Sequence, residues 1–534
     1  MFKESKSLLA QKSFKILPEY KLKCGLEIHT QLSTSKKLFS NSKNDPFMAM
    51  NTPNVNVSPF DISLPGTQPI FNYETLLYGL KLASYLKFKD INLESKFDRK
   101  HYFYQDNPQG YQITQKFEPL GHNGSLLLSS LIDGVSQDKQ INISTIQLEQ
   151  DTGKSLVRAG ETELDNGIIE IDLNRNNVPL IELVTEPDFQ SIEEVKAFLL
   201  KYRKIVRFLG ICNGDMEQGT LRCDVNVNVN DHCLVELKNL PTTSSITHAI
   251  QYEYMRQVEN LKKGDKGVKE TRNWDGEKTV AIRDKNMTVD YRFMPDNELK
   301  PLKISTKLLK QIEAKIPFDI DTEIIKLISE PFNLSLLRSN SLLEKDEKSG
   351  VFILDYYKTL ASKYLYSYNK GGVNMVLLNN IFFNEILVNI SKLSNITFKE
   401  FTHLFKYENV LDLVNIINEG EMITRPNADR LLHYALSAKL ENPDWISLIE
   451  QNEISKISLG SLTKVQQDEI YNKILESFDP SILSKIHGKL PEERKSKDLQ
   501  KFEKGMNVAI KTALELTNYR IDPLDLRKII INHL

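Results

Sequence analysis

The chain reads as an α+β protein in which a strand-rich part comes first and a wholly helical part follows. Three observations predict this. Short runs that alternate apolar and polar residues recur from about residue 20 to 305. One amphipathic helix, over residues 191–209, interrupts them, and from about 306 onward apolar residues recur at helical spacing. With 534 residues, 40% of them hydrophobic and 26% charged, the chain has room for two to four domains of ordinary globular composition.

The first 17 residues carry Lys3, Lys6, Lys12 and Lys15 against Glu4 alone, with Ser5, Ser7 and Ser13, so residues 1–19 resemble an organellar targeting segment, which the family resemblance below makes a mitochondrial one. The first strand pattern covers residues 22–32. Leu22, Cys24, Leu26, Ile28 and Leu32 share one face, and Lys23, Glu27, His29 and Gln31 share the other, which puts a carboxylate beside an imidazole. An ordinary half-exposed strand also accounts for this segment taken alone. The pattern recurs, however. Residues 141–151 end in Gln147, Glu149 and Asp151 on one face, and residues 168–174 set Glu170, Asp172 and Asn174 against Ile169, Ile171 and Leu173. Residues 220–229 set Arg222, Asp224, Asn226 and Asn228 against Leu221, Cys223, Val225 and Val227, and in residues 233–240 Glu236 and Lys238 oppose Val235 and Leu237. Five such strands are expected to form one sheet with a polar face rich in acids, Arg and Lys. That face suits a hard divalent cation and a polyphosphate.

Between these strands, residues 97–112 gather Arg99, Lys100 and His101 beside Tyr102, Phe103, Tyr104 and Tyr111, a composition suited to a nucleotide or an RNA end and equally to an aromatic strand ending in the Asn107-Pro108 turn. Gly153-Lys154-Ser155 is not a P-loop, because Leu148 stands where that motif needs its first glycine. Ser191 and Glu194 predict a capping box at the start of the helix, and Gly210 predicts its stop. Asp479-Pro480 and Asp522-Pro523 each place a capping residue before a first-turn proline. Between residues 485 and 511 eight Lys or Arg face four acids, a basic stretch in a chain of net charge -2.

Cys24, Cys212, Cys223 and Cys233 show no C-x-x-C spacing, so neither a disulfide framework nor a zinc site is implied. No run of about 18 apolar residues exists to span a membrane. No Gly-Ser-rich loop holds a Ser-Ser-Lys amidase triad, and no cysteine sits in a nucleophile context, so any ammonia the protein used would have to come from elsewhere.

The blocks Gly25-Leu26-Glu27-Ile28-His29-Thr30-Gln31-Leu32, Lys96-Phe97-Asp98-Arg99-Lys100-His101-Tyr102-Phe103-Tyr104, Leu148-Glu149-Gln150-Asp151-Thr152-Gly153-Lys154-Ser155, Asp172-Leu173-Asn174-Arg175, Pro179-Leu180-Ile181-Glu182-Leu183-Val184-Thr185-Glu186-Pro187-Asp188, Leu221-Arg222-Cys223-Asp224-Val225-Asn226, Glu236-Leu237-Lys238-Asn239-Leu240 and Asp290-Tyr291-Arg292-Phe293-Met294-Pro295-Asp296 occur in order. Together they resemble the GatB family, the B subunits of glutamyl-tRNA(Gln) amidotransferases. The helical remainder resembles that family in general character only.

The resemblance implies a cradle domain of glutamine synthetase and guanido kinase type over residues 20–305, a helical linker over 306–352, and a helical, YqeY-like tRNA-binding region over 353–534. It implies ATP and Mg²⁺ as cofactors, and phosphorylation of the glutamate side chain of misacylated Glu-tRNA(Gln). It also implies amidation with ammonia from a partner amidase of GatA type, and a small third subunit of C-like or F-like type. Catalytic roles are expected for Glu27, His29, Glu149, Asp151 and Glu236. The expected metal group is Glu27, His29, Glu149, Asp224 and Glu236. Arg99, Lys100, Lys154, Arg175, Arg222 and Lys238 are the expected contacts to phosphates of ATP or tRNA.

Three departures stand out. Gln150 replaces a glutamate common in bacterial members, which makes Glu149 or Asp151 the better local ligand. Residues 40–65 lack the paired cysteines of some bacterial members, which excludes a cysteine-held zinc there. The run Asn176-Asn177-Val178-Pro179 and the Lys-rich start point to the mitochondrial branch. The related archaeal-type GatE carries an insertion for which this chain has little room, and no HIGH-like or KMSKS-like signature supports a stand-alone synthetase. A non-catalytic RNA-binding protein would have lost most acids of the polar faces, which are present here.

Overall fold

The structure is a computed structural model that describes residues 14–45, 52–158, 168–265, 267–284, 290–344, 353–367, 374–477 and 496–533. Most of the targeting segment and the basic residues Lys485, Lys489, Arg494 and Lys495 lie outside the described residues, as does Asp479-Pro480. The chain forms two compact units, Met1–Glu323 and Ile324–Leu534. The first therefore extends past residue 305, and the helix Thr306–Glu313 packs against helix α1 (Tyr73–Tyr85) of the same unit.

The first unit is built on a nine-stranded sheet. In chain order its described strands, with those of three small sheets, are β1 (Leu22–Gln31), β2 (Asp90–Ile91), β3 (Glu94–Ser95), β4 (Asp98–His101), β5 (Tyr111–Thr114), β6 (Gly121–Leu128), β7 (Lys139–Gln150) and β8 (Lys154–Arg158). They continue with β9 (Ile168–Asp172), β10 (Pro179–Thr185), β11 (Leu221–Val229), β12 (Val235–Lys238), β13 (Glu270–Trp274), β14 (Thr279–Asp284), β15 (Met294–Pro295) and β16 (Leu302–Lys303). The large sheet runs β14-β13-β12-β11-β1-β10-β7-β6-β2, and β15-β4-β5 form a smaller one.

Strand β1 lies at the centre, antiparallel to β10 on one side and β11 on the other. Its even positions are buried, on the face of the sheet that packs against α1, α2 (Ile192–Phe208) and α3 (Thr243–Lys262). Thr30 bonds the Tyr202 hydroxyl of α2 at 2.7 Å, Gln257 of α3 donates to the Val227 carbonyl at 3.3 Å, and Gly79 of α1 sits against Leu148 so closely that a Cβ there would lie 3.3 Å from that side chain. Leu26, Ile28, Leu148, Ile181, Leu183, Cys223 and Val225 line this buried face. The odd positions of β1 face the other way.

Two expectations are corrected here. Residues 168–174 do not join the large sheet, because β9 pairs with β8 in a two-stranded ribbon. Its place beside β1 is taken by β10, whose run Pro179-Leu180-Ile181-Glu182-Leu183-Val184 is apolar on both faces except for Glu182, as suits a strand covered on both sides. The predicted capping box is only half formed. Ser191 accepts from the Glu194 amide at 3.2 Å, but the Glu194 carboxylate turns to the Gln190 amide at 2.7 Å and to Lys139 at 2.9 Å.

The second unit is helical throughout its described residues. Tyr356, Tyr357, Phe382, Phe398, Phe401 and Phe405 form an aromatic core in its first part. Helices Lys464–Glu476, Ser496–Leu516 and Pro523–Asn532 share a core of Ile474, Phe502, Met506, Ala509, Leu526 and Ile529. Asp522 marks the last helix start as expected but does not cap it, since its carboxylate pairs with Lys456.

Between β1 and α1 a long connection is tied down by a buried ion pair. The Lys37 ammonium bonds Asp61 and the Leu173 carbonyl, each at 3.3 Å, while Asp61 also accepts from Ser40, the Ser58 amide and Asn177. Both side chains are fully buried, and burial pulls the Lys37 pKa down despite Asp61. Asp61→Ala leaves a buried cation unpaired, so it should destabilise the first unit by about 3–5 kcal/mol in chemical denaturation. Adding Lys37→Met to that variant should recover part of the loss.

Candidate active site

The register fixes which side chains meet on the polar face. Glu27 stands opposite Asp224, and His29 lies between Arg222 of β11 and Glu182 of β10. Glu182 is opposite Gln147 of β7, Leu180 is opposite Glu149, and Asn226 is opposite Glu236 of β12. Since side chains alternate, Gln147, Glu149, Glu182, Glu27, His29, Arg222, Asp224, Glu236 and Lys238 all project from one surface.

At its centre sits an acid cluster around one imidazole. His29 Nε2 is 3.7 Å from Glu149, 3.9 Å from Glu27 and 3.9 Å from Glu182. The small sheet walls this cluster. Thr114 donates to Glu149 at 3.0 Å, Gln147 donates to Glu182 at 2.8 Å, and Gln112 and Gln115 of β5 and its exit bond the main chain of β7 at Gln150 and Leu148. Burial first, then the charges of Glu149 and Glu27 and a carboxyl–carboxyl hydrogen bond with Glu149, hold the Glu182 carboxyl well above its usual range, while Lys100 pulls the other way.

The remaining acids are compensated by protein cations. Asp151 accepts from Arg222 at 2.8 Å and lies 3.6 Å from Arg175, which also donates to the carbonyls of Thr152 and Gly153. Lys238 bridges Asp224 at 2.6 Å and Glu236 at 3.2 Å, and Glu236 accepts from Thr271 at 2.9 Å. Burial opposes the Lys238 charge, but Asp224, Glu236 and Glu27 outweigh it and hold this ammonium above its usual range. Arg99 is engaged by Asp296 at 2.7 Å and Glu298 at 3.0 Å and stacks on Tyr111. Lys100 lies 4.9 Å from the Tyr291 ring centre, and Lys154 is exposed on β8 opposite Asp172. The Gln150 amide donates to Gln109.

Among the described residues, the group able to hold a metal ion is Glu27, His29 and Glu182, whose ligand atoms lie within 4.8 Å of one another. Adjacent and opposite ligands of an octahedral Mg²⁺ with bonds of about 2.1 Å are about 3 and 4.2 Å apart. His29 Nε2 lies 3.9 Å from both Glu27 and Glu182, between those two values, and the set offers two carboxylate oxygens and one imidazole nitrogen; a divalent cation there would offset the burial penalty and the neighbouring carboxylate charges that raise the Glu182 pKa. Glu182 was missed in sequence because a lone acid in an apolar run shows no alternation. The signal available was that lone charge itself, in a strand otherwise built for burial.

A raised carboxyl pKa opposes folding. The penalty begins as pH rises through the ordinary carboxyl range near about 4.3 and is complete above the raised value. Glu182→Gln should therefore raise the melting temperature of the metal-free protein by a few degrees at neutral pH, with the gain vanishing near pH 4. Thermal scans across that range check it.

Residues 22–310 match the family described as the GatB/GatE catalytic domain. The chain is 43% identical over 488 residues to the B subunit of the mitochondrial glutamyl-tRNA(Gln) amidotransferase of Zygosaccharomyces rouxii, covering 87% of this chain and 88% of that one. It is 37% identical over 531 residues to the protein of the same name in Candida glabrata, covering 97% and 95%, and 40% identical over 459 residues to that of Saccharomyces cerevisiae, covering 83% of each. All five strands that carry the polar face, from Glu27 to Lys238, fall inside the matched segment, and the chain belongs to the GatB/GatE family.

Proposed function

We propose that this chain is the component of a mitochondrial amidotransferase that activates the glutamate side chain of Glu-tRNA(Gln) with ATP and amidates it with ammonia from a partner amidase. The coarser part of this reading is given by the family: the chain belongs to a mitochondrial tRNA-dependent amidotransferase, a ligase that forms carbon–nitrogen bonds with glutamine as donor. The observation that carries the finer part is the convergence of Glu27, His29, Glu149 and Glu182, flanked by Lys100, Arg222 and Lys238.

Phosphoryl transfer needs positioning and charge neutralisation more than covalent help from the protein. Glu27, His29 and Glu182 would hold Mg²⁺, with Glu149 beside them, and the ion when bound supplies neutralisation of phosphate charge. Lys100 and Arg222 flank these ligands to take phosphate oxygens. Lys238 keeps Asp224 and Glu236 neutralised, and Asp151 fixes Arg222 and Arg175. Activation of a carboxylate as its acyl phosphate turns a poor leaving group into phosphate, which ammonia then displaces. We place this chemistry in a cradle domain over residues 20–305. The linker of 306–352 and the YqeY-like region of 353–534 would serve tRNA, with a GatA-type amidase and a small C-like or F-like protein completing the enzyme.

His29→Ala and Glu182→Gln should each abolish ATP-dependent conversion of Glu-tRNA(Gln) to Gln-tRNA(Gln) while leaving the partner's glutaminase activity. Mg²⁺ should raise the melting temperature of the wild type and not of Glu182→Gln. Near-normal amidation by either variant would remove that residue from the site. Truncation after residue 484 should raise KM for Glu-tRNA(Gln) and flatten its salt dependence, leaving KM for ATP unchanged.

A further inference from the structure

The loop that leaves β4 carries two aromatic rings that the cluster above does not use. Phe103 is 87% exposed and Tyr104 59% exposed, yet the loop beneath them is closed by hydrogen bonds from the Tyr102 amide to the Gly110 carbonyl at 3.1 Å, from Asn107 to Tyr104 at 3.0 Å and from Gly110 to Asn107 at 3.0 Å. Gly110 has φ +73, and a Cβ on it would lie 2.9 Å from a Phe103 ring carbon, so the absence of a side chain there leaves room for that ring beside the backbone. Tyr104 leans on Tyr102 with ring centres 5.3 Å apart.

This loop is joined to the site. The Gly153 amide donates to the Asp106 carbonyl at 2.9 Å, at an approach so close that any Cβ on Gly153 would collide with that oxygen. Burial, followed by the charges of Glu149, Asp106 and Asp151, raises the Tyr102 pKa. Lys100, on the strand that feeds the loop, lies 6.0 Å from the Tyr102 ring centre and also acts on Glu182.

We propose that Phe103 and Tyr104 form a stacking platform for an adenine nucleoside whose phosphate side faces Lys100. Exposed flat rings on a loop closed by its own hydrogen bonds offer their faces to a base, and base–aromatic stacking contributes whatever the sequence. Exposed apolar rings next to a charged site also have no role in the fold that burial would explain. An adenine is available from two sources, ATP and the 3′-terminal adenosine of the charged tRNA. The proposal rests on the reading that the site handles both.

The test uses the assembled amidotransferase and two fluorescent probes: 2-aminopurine riboside triphosphate, and Glu-tRNA(Gln) with 2-aminopurine as its 3′-terminal base. The wild type should quench one of them. Phe103→Ala and Tyr104→Ala should lose that quench and raise KM for the same substrate by about 5- to 100-fold, with the other KM unchanged. Phe103→Tyr and Tyr104→Phe, which keep flat rings, should retain both, and this separates stacking from loop collapse. Which probe is quenched identifies the source. Quenching of neither by a wild type that amidates normally overturns the platform, as does unchanged KM in both alanine variants. Loss of partner proteins from those variants with unchanged KM also overturns it and assigns the rings to a protein interface. A wild type that quenches a probe but does not amidate would instead sink the proposed function.

Discussion

Everything at this site depends on the register of β1. The strand is sandwiched between β10 and β11 at the middle of the sheet, Leu26 and Ile28 at its even positions are buried, and Thr30 bonds Tyr202 of α2. A slip of one residue would carry Glu27 and His29 into the apolar layer and leave Ile28 facing the acids. The burial of one face thus determines the chemistry of the other, with no direct contact between the two.

Charge compensation across the polar face divides it into regions of different charge balance. Asp151 has Arg222 and Arg175, and Asp224 and Glu236 share Lys238, so those acids are already neutralised by the chain itself. Glu27, Glu149 and Glu182 converge on His29, and burial first, then the charges of Glu149 and Glu27, raise the Glu182 pKa. Asp151 meets Arg222 at 2.8 Å and lies 3.6 Å from Arg175, contacts between strands and loops far apart in the chain that are invisible in the linear sequence.

The legible part of the fold is the part with local periodicity. Alternation placed β1, β7, β11 and β12 in one sheet and oriented Glu27, His29, Glu149, Asp224 and Glu236 correctly relative to their apolar neighbours. It failed at β9, whose alternation is as clean as that of β11. Both satisfy the same local rule, and only long-range pairing with β8 separates them. It also failed at Glu182, because a strand covered on both faces loses the period-two signal that exposes an acid. Capping shows the same limit. Ser191 caps as read, while Glu194 and Asp522 are drawn off by Lys139 and Lys456, residues distant in sequence.

The density of like charge has a physical consequence for how this unit holds together. Three carboxylates around one imidazole, together with a buried Lys37–Asp61 pair nearby in the chain, oppose folding by desolvation and repulsion. The opposing contribution comes from the other side of the sheet, where Leu26, Ile28, Leu148, Ile181, Leu183 and Val225 are all buried at 2% exposure or less against the helices. At about 1.5–3 kcal/mol for each fully buried aliphatic side chain, a few such residues offset one unfavourable carboxylate. The asymmetry of the sheet is therefore what permits the site: one face is stable enough that the other can be arranged for charge rather than for packing.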